Sequence, residues 1–86
     1  MFIILRQNFD GRLHNEYYRD WNNAKIALDK AVKRCCDSLN GKVTKEIDTF
    51  DASRGVPVYE KMAAFPNNEY SVWTLVYGFF EDDFMT

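Results

Sequence analysis

His14 is the only histidine in the chain, and an imidazole is the side chain most readily recruited for acid–base work near neutral pH. Asp10, Glu16 and Asp20 lie close enough in sequence to orient it if the segment folds back as a hairpin. No spacing motif sets a nucleophile beside it, and it stands in a polar stretch next to a turn, where an exposed histidine needs no function. A small enzyme using His14 is therefore an alternative reading, and no catalytic residue is expected.

Cys35 and Cys36 are the next candidates. Neighbours on a helix point about 100° apart, so a disulfide between them would distort the backbone. Zinc sites space their cysteines apart and require further cysteine or histidine ligands, which one histidine does not supply. Both cysteines are expected to pack in or beside the core. Glu81, Asp82 and Asp83 form an acidic run, but a calcium loop places its oxygens at alternate positions around a turn glycine. The run reads as a solvated end that discourages pairing of strand edges. No metal or other cofactor is expected.

The aromatic-rich stretch near the carboxyl end has the composition of a sheet that stacks single-stranded bases. Those sheets are flanked by cations that track phosphates. Here the flank is acidic, the net charge is −2, and Lys30, Lys33 and Arg34 alternate with Asp29 and Asp37. Nucleic-acid binding is not expected. Gly11, Gly41, Gly55 and Gly78 are isolated, so no phosphate-cradling loop is present and no small-molecule ligand is expected.

The elements that would position these groups are legible in the periodicity. Eighty-six residues suit one domain. Aromatic content of 16% supplies enough bulky apolar surface for a core without disulfides. Phe2 to Gln7 is an apolar strand, Asp10-Gly11 a hairpin turn, and Arg12 to Tyr18 the returning strand. Asp20 caps a helix whose apolar stripe runs through Trp21, Ala24, Leu28, Val32, Cys35 and Leu39. Lys25, Asp29, Lys33 and Asp37 mark a solvated face. Asn40-Gly41 ends the helix, with glycine expected in the left-handed position.

From Lys42 the period changes to two, with Val43 and Ile47 on one side and Thr44, Glu46 and Asp48 on the other. Turns at Asp51–Gly55 and Pro66–Glu69 separate strands over Val56–Phe65 and Tyr70–Phe80. Pro57 marks a strand start or an edge, since it has no N–H to give. The predicted fold is α+β: a two-layer sandwich, one amphipathic helix on a mostly antiparallel sheet of four or five strands, in the order β(β)αβββ. The N-terminal residues lack the pattern of a secretory signal, and no run is long enough for a membrane helix. A cytoplasmic protein with no membrane contact is the expectation.

The last strand is apolar on both sides. Tyr70, Val72, Thr74, Val76, Gly78 and Phe80 alternate with Ser71, Trp73, Leu75, Tyr77 and Phe79. One helix hides one side. The other needs the N-terminal hairpin, the Phe84-Met85 tail, a second copy or a foreign partner to cover it. The expectation is a non-enzymatic protein-binding or assembly module, homodimeric, with Trp73, Leu75, Tyr77 and Phe79 as the interface. An inhibitor or adaptor of phage or mobile-element type, docking on a host protein, is the other expectation from the same feature.

Overall fold

The computed structural model describes residues 2–78. They form β1 (Phe2–Phe9), β2 (Arg12–Tyr18), α1 (Trp21–Leu39), β3 (Lys42–Asp51), β4 (Val56–Ala64) and β5 (Tyr70–Gly78). The strands make one open sheet in the order β2-β1-β5-β4-β3, antiparallel at every step. This is the expected α+β fold, with α1 packed on one face. Phe79, Phe80, the acidic run and the Phe84-Met85 tail lie outside the described residues.

Local chemistry sets each element. Asp10 and Gly11 both take positive φ, 50° and 80°, as a two-residue hairpin turn of the primed kind requires. The turn closes directly on Phe9↔Arg12, so β1 runs two residues further than its apolar stretch suggests. The Asp20 carboxylate accepts a hydrogen bond from the Asn23 N–H at 2.9 Å, capping α1 as expected.

The C-terminus of α1 differs from expectation. The left-handed residue is Asn40, at φ 56°, and Gly41 is required for another reason. The Phe65 ring lies against it, and a Cβ at Gly41 would come within 2.6 Å of Phe65 Cδ1. Asparagine tolerates the left-handed region better than most residues, which frees glycine for the close approach.

β3 also departs from simple alternation. The register shifts between Val43 and Lys45, so a bulge at Thr44 turns Val43 to the side of Ala63 while Ile47 shares the side of Glu60. The two residues thus point to opposite faces. β4 is shorter than expected, and its first residues pair only with β3. The β4–β5 ladder stops at Tyr59↔Leu75. The next backbone-bonded pair in that register would join Pro57 to Tyr77, and Pro57 has no N–H to offer.

The core lies between α1 and one side of the sheet. Ala24, Leu28 and Val32 from the helix meet Ile3, Leu5, Tyr59, Ala63, Trp73 and Leu75. Small residues on the helix leave room for large ones on the sheet. Trp73 is 0% exposed and Leu75 2%. Tyr77 is covered by Trp21, stacked at 5.2 Å between ring centroids and 10° between planes. Among the described residues, no helix is long and apolar enough to cross a membrane.

Candidate interaction surfaces

Directly opposed residues in an antiparallel ladder point to the same face, so the registers sort every side chain. Ile3, Leu5, Trp73, Leu75, Tyr77, Tyr59 and Ala63 share the helix-covered face. Trp73, Leu75 and Tyr77 therefore sit beneath α1. Trp73 and Leu75, with almost no exposed surface, have little to offer a partner, whereas Tyr77 is half-buried beside Trp21 and keeps part of its surface. Phe79, the fourth, lies outside the described residues.

The opposite face has no helix over it. Met62↔Val72 and Glu60↔Thr74 are opposed there, flanked by the apolar Ile47, Val58, Val76 and Ile4 and by the polar Arg6, Asn8 and Lys45. Val58, Met62, Val72, Val76 and Ile47 are all half-buried. Ile4, at 2% exposure, faces Val76 on one neighbouring strand and Tyr17 on the other. Phe2 meets Tyr17 edge-on at 5.6 Å, giving this end of the face a small aromatic rim. Near the centre the Thr74 hydroxyl donates to Glu60 Oε1 at 2.9 Å. At the β4–β5 side, where the ladder has stopped, the strands splay around a cavity of about 400 Å³ bordered by Arg54, Val58, Val76 and Tyr77.

On the helix side, polar groups gather where α1 no longer covers the sheet. The Tyr59 hydroxyl donates to Asp29 Oδ1 at 2.6 Å, and Lys61 Nζ lies 2.9 Å from the same oxygen. Glu46 is 3.6 Å from Lys61, and Lys25 pairs with Asp48 at 3.5 Å while lying 4.7 Å above the Tyr59 ring. Burial works to raise the Asp29 pKa, but the bonds from Tyr59 and Lys61 and the charges of Lys61 and Lys25 outweigh it. The net shift is downward. Burial likewise works to lower Lys61, and the Asp29 bond and charge reverse that, so it ends up raised. The Tyr59 hydroxyl is raised by burial and then by Asp29.

These are the signatures of a satisfied structural network. Lys25 and Asp29, expected on a solvated stripe, instead tie the helix to the sheet. The signal for it was Lys61, a cation in the helix-facing row between Tyr59 and Ala63, which needs an anion across from it.

His14 lies on the edge strand β2 with its side chain 67% exposed, 3.3 Å from Glu16. Asp10 and Asp20, which sequence proximity put near it, appear in the turn and at the helix cap instead. Cys35 and Cys36 are free, half-buried thiols packed against the core. Burial raises both pKa values, with Cys36 adding to the shift of Cys35 and Asp37 to that of Cys36. Among the described residues no group of three or more His, Cys, Asp or Glu is arranged to hold a metal ion. A second concavity of about 480 Å³ opens at the other end of the sheet between Phe9, Leu39, Phe65 and Pro66. Its lining is mainly apolar, with Asn67 and Glu69 at the rim. Comparison with family models, with curated proteins and with solved structures gave no match.

Proposed function

We propose that this chain is a non-enzymatic protein-binding and assembly module, homodimeric, which presents the sheet face that α1 leaves uncovered. The observation that carries the proposal is the cluster of half-exposed aliphatic side chains on that face, Val58, Met62, Val72, Val76 and Ile47. An apolar surface of this kind, crossed at its middle by the polar row of Arg6, Thr74 and Glu60 and with aromatic residues at its rim, has the make-up of a protein-contact surface. Apolar surface buried there would contribute about 25 cal/mol per Å². An antiparallel sheet commonly leaves one face to water, but then its outer face is polar, whereas here Ile4, Val58, Met62, Val72 and Val76 stand in it among Arg6, Lys45, Glu60 and Thr74.

The proposal is tested by the solution mass of the native chain together with the binding of a hydrophobic dye. The reading predicts a dimer, and dye binding that falls when Val72 is replaced by lysine. A monomer at all concentrations with no dye signal would overturn it.

A further inference from the structure

We propose that two copies of this chain join through β2, edge to edge, so that their sheets continue as one. This rests on the reading of the chain as a self-associating module and specifies the contact. β2 ends the sheet, with only β1 beside it among the described residues.

The hairpin fixes which backbone groups the edge presents. Its two-residue turn closes on Phe9↔Arg12, a pair that exchanges backbone hydrogen bonds. Arg12, His14, Glu16 and Tyr18 therefore turn their N–H and C=O groups towards β1. Leu13, Asn15 and Tyr17 turn theirs outward.

A twofold axis normal to the sheet sets a strand against itself with one residue facing its own copy. For β2 the register that pairs all of Arg12–Tyr18 is centred on Asn15. In that register Leu13 faces the second copy's Tyr17, His14 faces Glu16, and Arg12 faces Tyr18. Each of these pairs occurs twice, and the outward backbone groups of positions 13, 15 and 17 match one another. Leu13 is 70% exposed and Tyr17 50%, so an exposed apolar pair is covered on each side of the axis. His14 and Glu16 already approach within 3.3 Å along one strand, and the same pairing recurs across the junction. The β1–β2 ladder has no register shift and β2 contains no proline, so two of the guards an edge can carry, a bulge and a proline, are missing, and its charged residues Arg12 and Glu16 are of opposite sign.

The other edge is guarded. β3 carries the bulge at Thr44. Its twofold registers centred on Glu46, Ile47 or Asp48 oppose Glu46 to Glu46, Glu46 to Asp48, or Asp48 to Asp48. Like charges directly opposed are unfavourable. The second copy's β3 is thus rejected where its β2 is accepted.

The geometry leaves room for the helices. With strands about 4.8 Å apart, β5 lies about 12 Å from the axis, and α1 packs most on β5, β1 and β4 and least on β2. The two helices stay clear of one another. Because the axis is normal to the sheet, both uncovered faces end on the same side, as one continuous surface.

The test is sedimentation of the native chain and its variants, with circular dichroism to confirm folding. Leu13→Lys, at an exposed position, is expected to weaken the dimer about tenfold, since two cross-strand apolar pairs are lost. Asn15→Pro removes the central outward N–H from both copies and is expected to weaken it about a hundredfold. In the wild type, amide exchange at Leu13 and Asn15 should slow as concentration rises, which needs no substitution to read. Val72→Lys is expected to leave the mass unchanged. A wild-type dimer that both β2 variants keep and Val72→Lys dissolves would overturn the edge contact while leaving the assembly reading intact. A wild-type monomer with strong dye binding would overturn the edge contact and the homodimer while leaving the uncovered face as a surface for another protein, and one with no dye signal would remove that surface too.

Discussion

Replacing Asp29 with alanine should destabilise the fold far more than its position on the helix surface suggests. Asp29 Oδ1 receives the Tyr59 hydroxyl at 2.6 Å and lies 2.9 Å from Lys61 Nζ. Tyr59 is 6% exposed and the Lys61 side chain 19%, so neither finds water easily once the carboxylate is gone. A hydrogen bond to a charged group contributes about 1.5–3 kcal/mol. The Asp29 side chain is 47% exposed, which places the ion-pair part near the low end through solvent screening. The expected loss is about 2 kcal/mol, a fall in melting temperature of roughly 8–16 °C for a domain of this size. Asp48→Ala, which removes only the outlying pair with Lys25, should cost less than about 0.5 kcal/mol.

Thermal and denaturant unfolding at neutral pH read both variants. The acid side supplies a second check. A carboxylate whose folded pKa lies below its unfolded value stabilises the fold above the unfolded pKa, and that stability is lost as pH falls through the folded pKa. The gap between wild type and Asp29→Asn should therefore be full at neutral pH and close below the usual carboxylate range. Equal costs for Asp29→Ala and Asp48→Ala, or a gap that persists in strong acid, would refute the network as the link between helix and sheet.

Other substitutions separate the roles of neighbouring residues. Trp73→Ala should cost about 3–5 kcal/mol through the cavity beneath α1, read as a large loss of denaturant midpoint. An unchanged midpoint would mean that Trp73 is not core. Gly41→Ala should cost about 1–3 kcal/mol, because the Phe65 ring must shift, whereas Asn40→Gly should be neutral or mildly stabilising; equal effects would contradict the division of labour at the helix end. Cys35 and Cys36, with raised pKa values and partial burial, should react more slowly with a thiol reagent at neutral pH than a free cysteine in an unfolded chain.

The helix, the first hairpin and the strand order along the chain were legible because each carries its own local signal: the Asp20 cap, the Asp10-Gly11 turn, and periods of 3.6 and two. The bulge at Thr44 was not legible, since Lys45 is the one break in the alternation between Val43 and Ile47 and only pairing with β4 reveals the extra residue. Sheet order depends on contacts distant in sequence, which local periodicity does not encode. Which side of β5 the helix covers was not legible because both rows are apolar. The deciding signal was size. A helix stripe built on Ala24, Ala27 and Ala31 is shallow and accepts a tryptophan and a tyrosine opposite, while Val72, Thr74 and Val76 would leave voids beneath it. Interiors pack to crystal density, so the bulky row goes under the small stripe.

Sedimentation equilibrium of the unmodified chain, followed from low micromolar to millimolar concentration, tests the central claim most directly. Assembly through surfaces that α1 does not cover predicts a reversible rise from the 10.1 kDa of one chain to twice that mass, with amide protection growing at Leu13 and Asn15 in step. A constant single-chain mass across the whole range would contradict it.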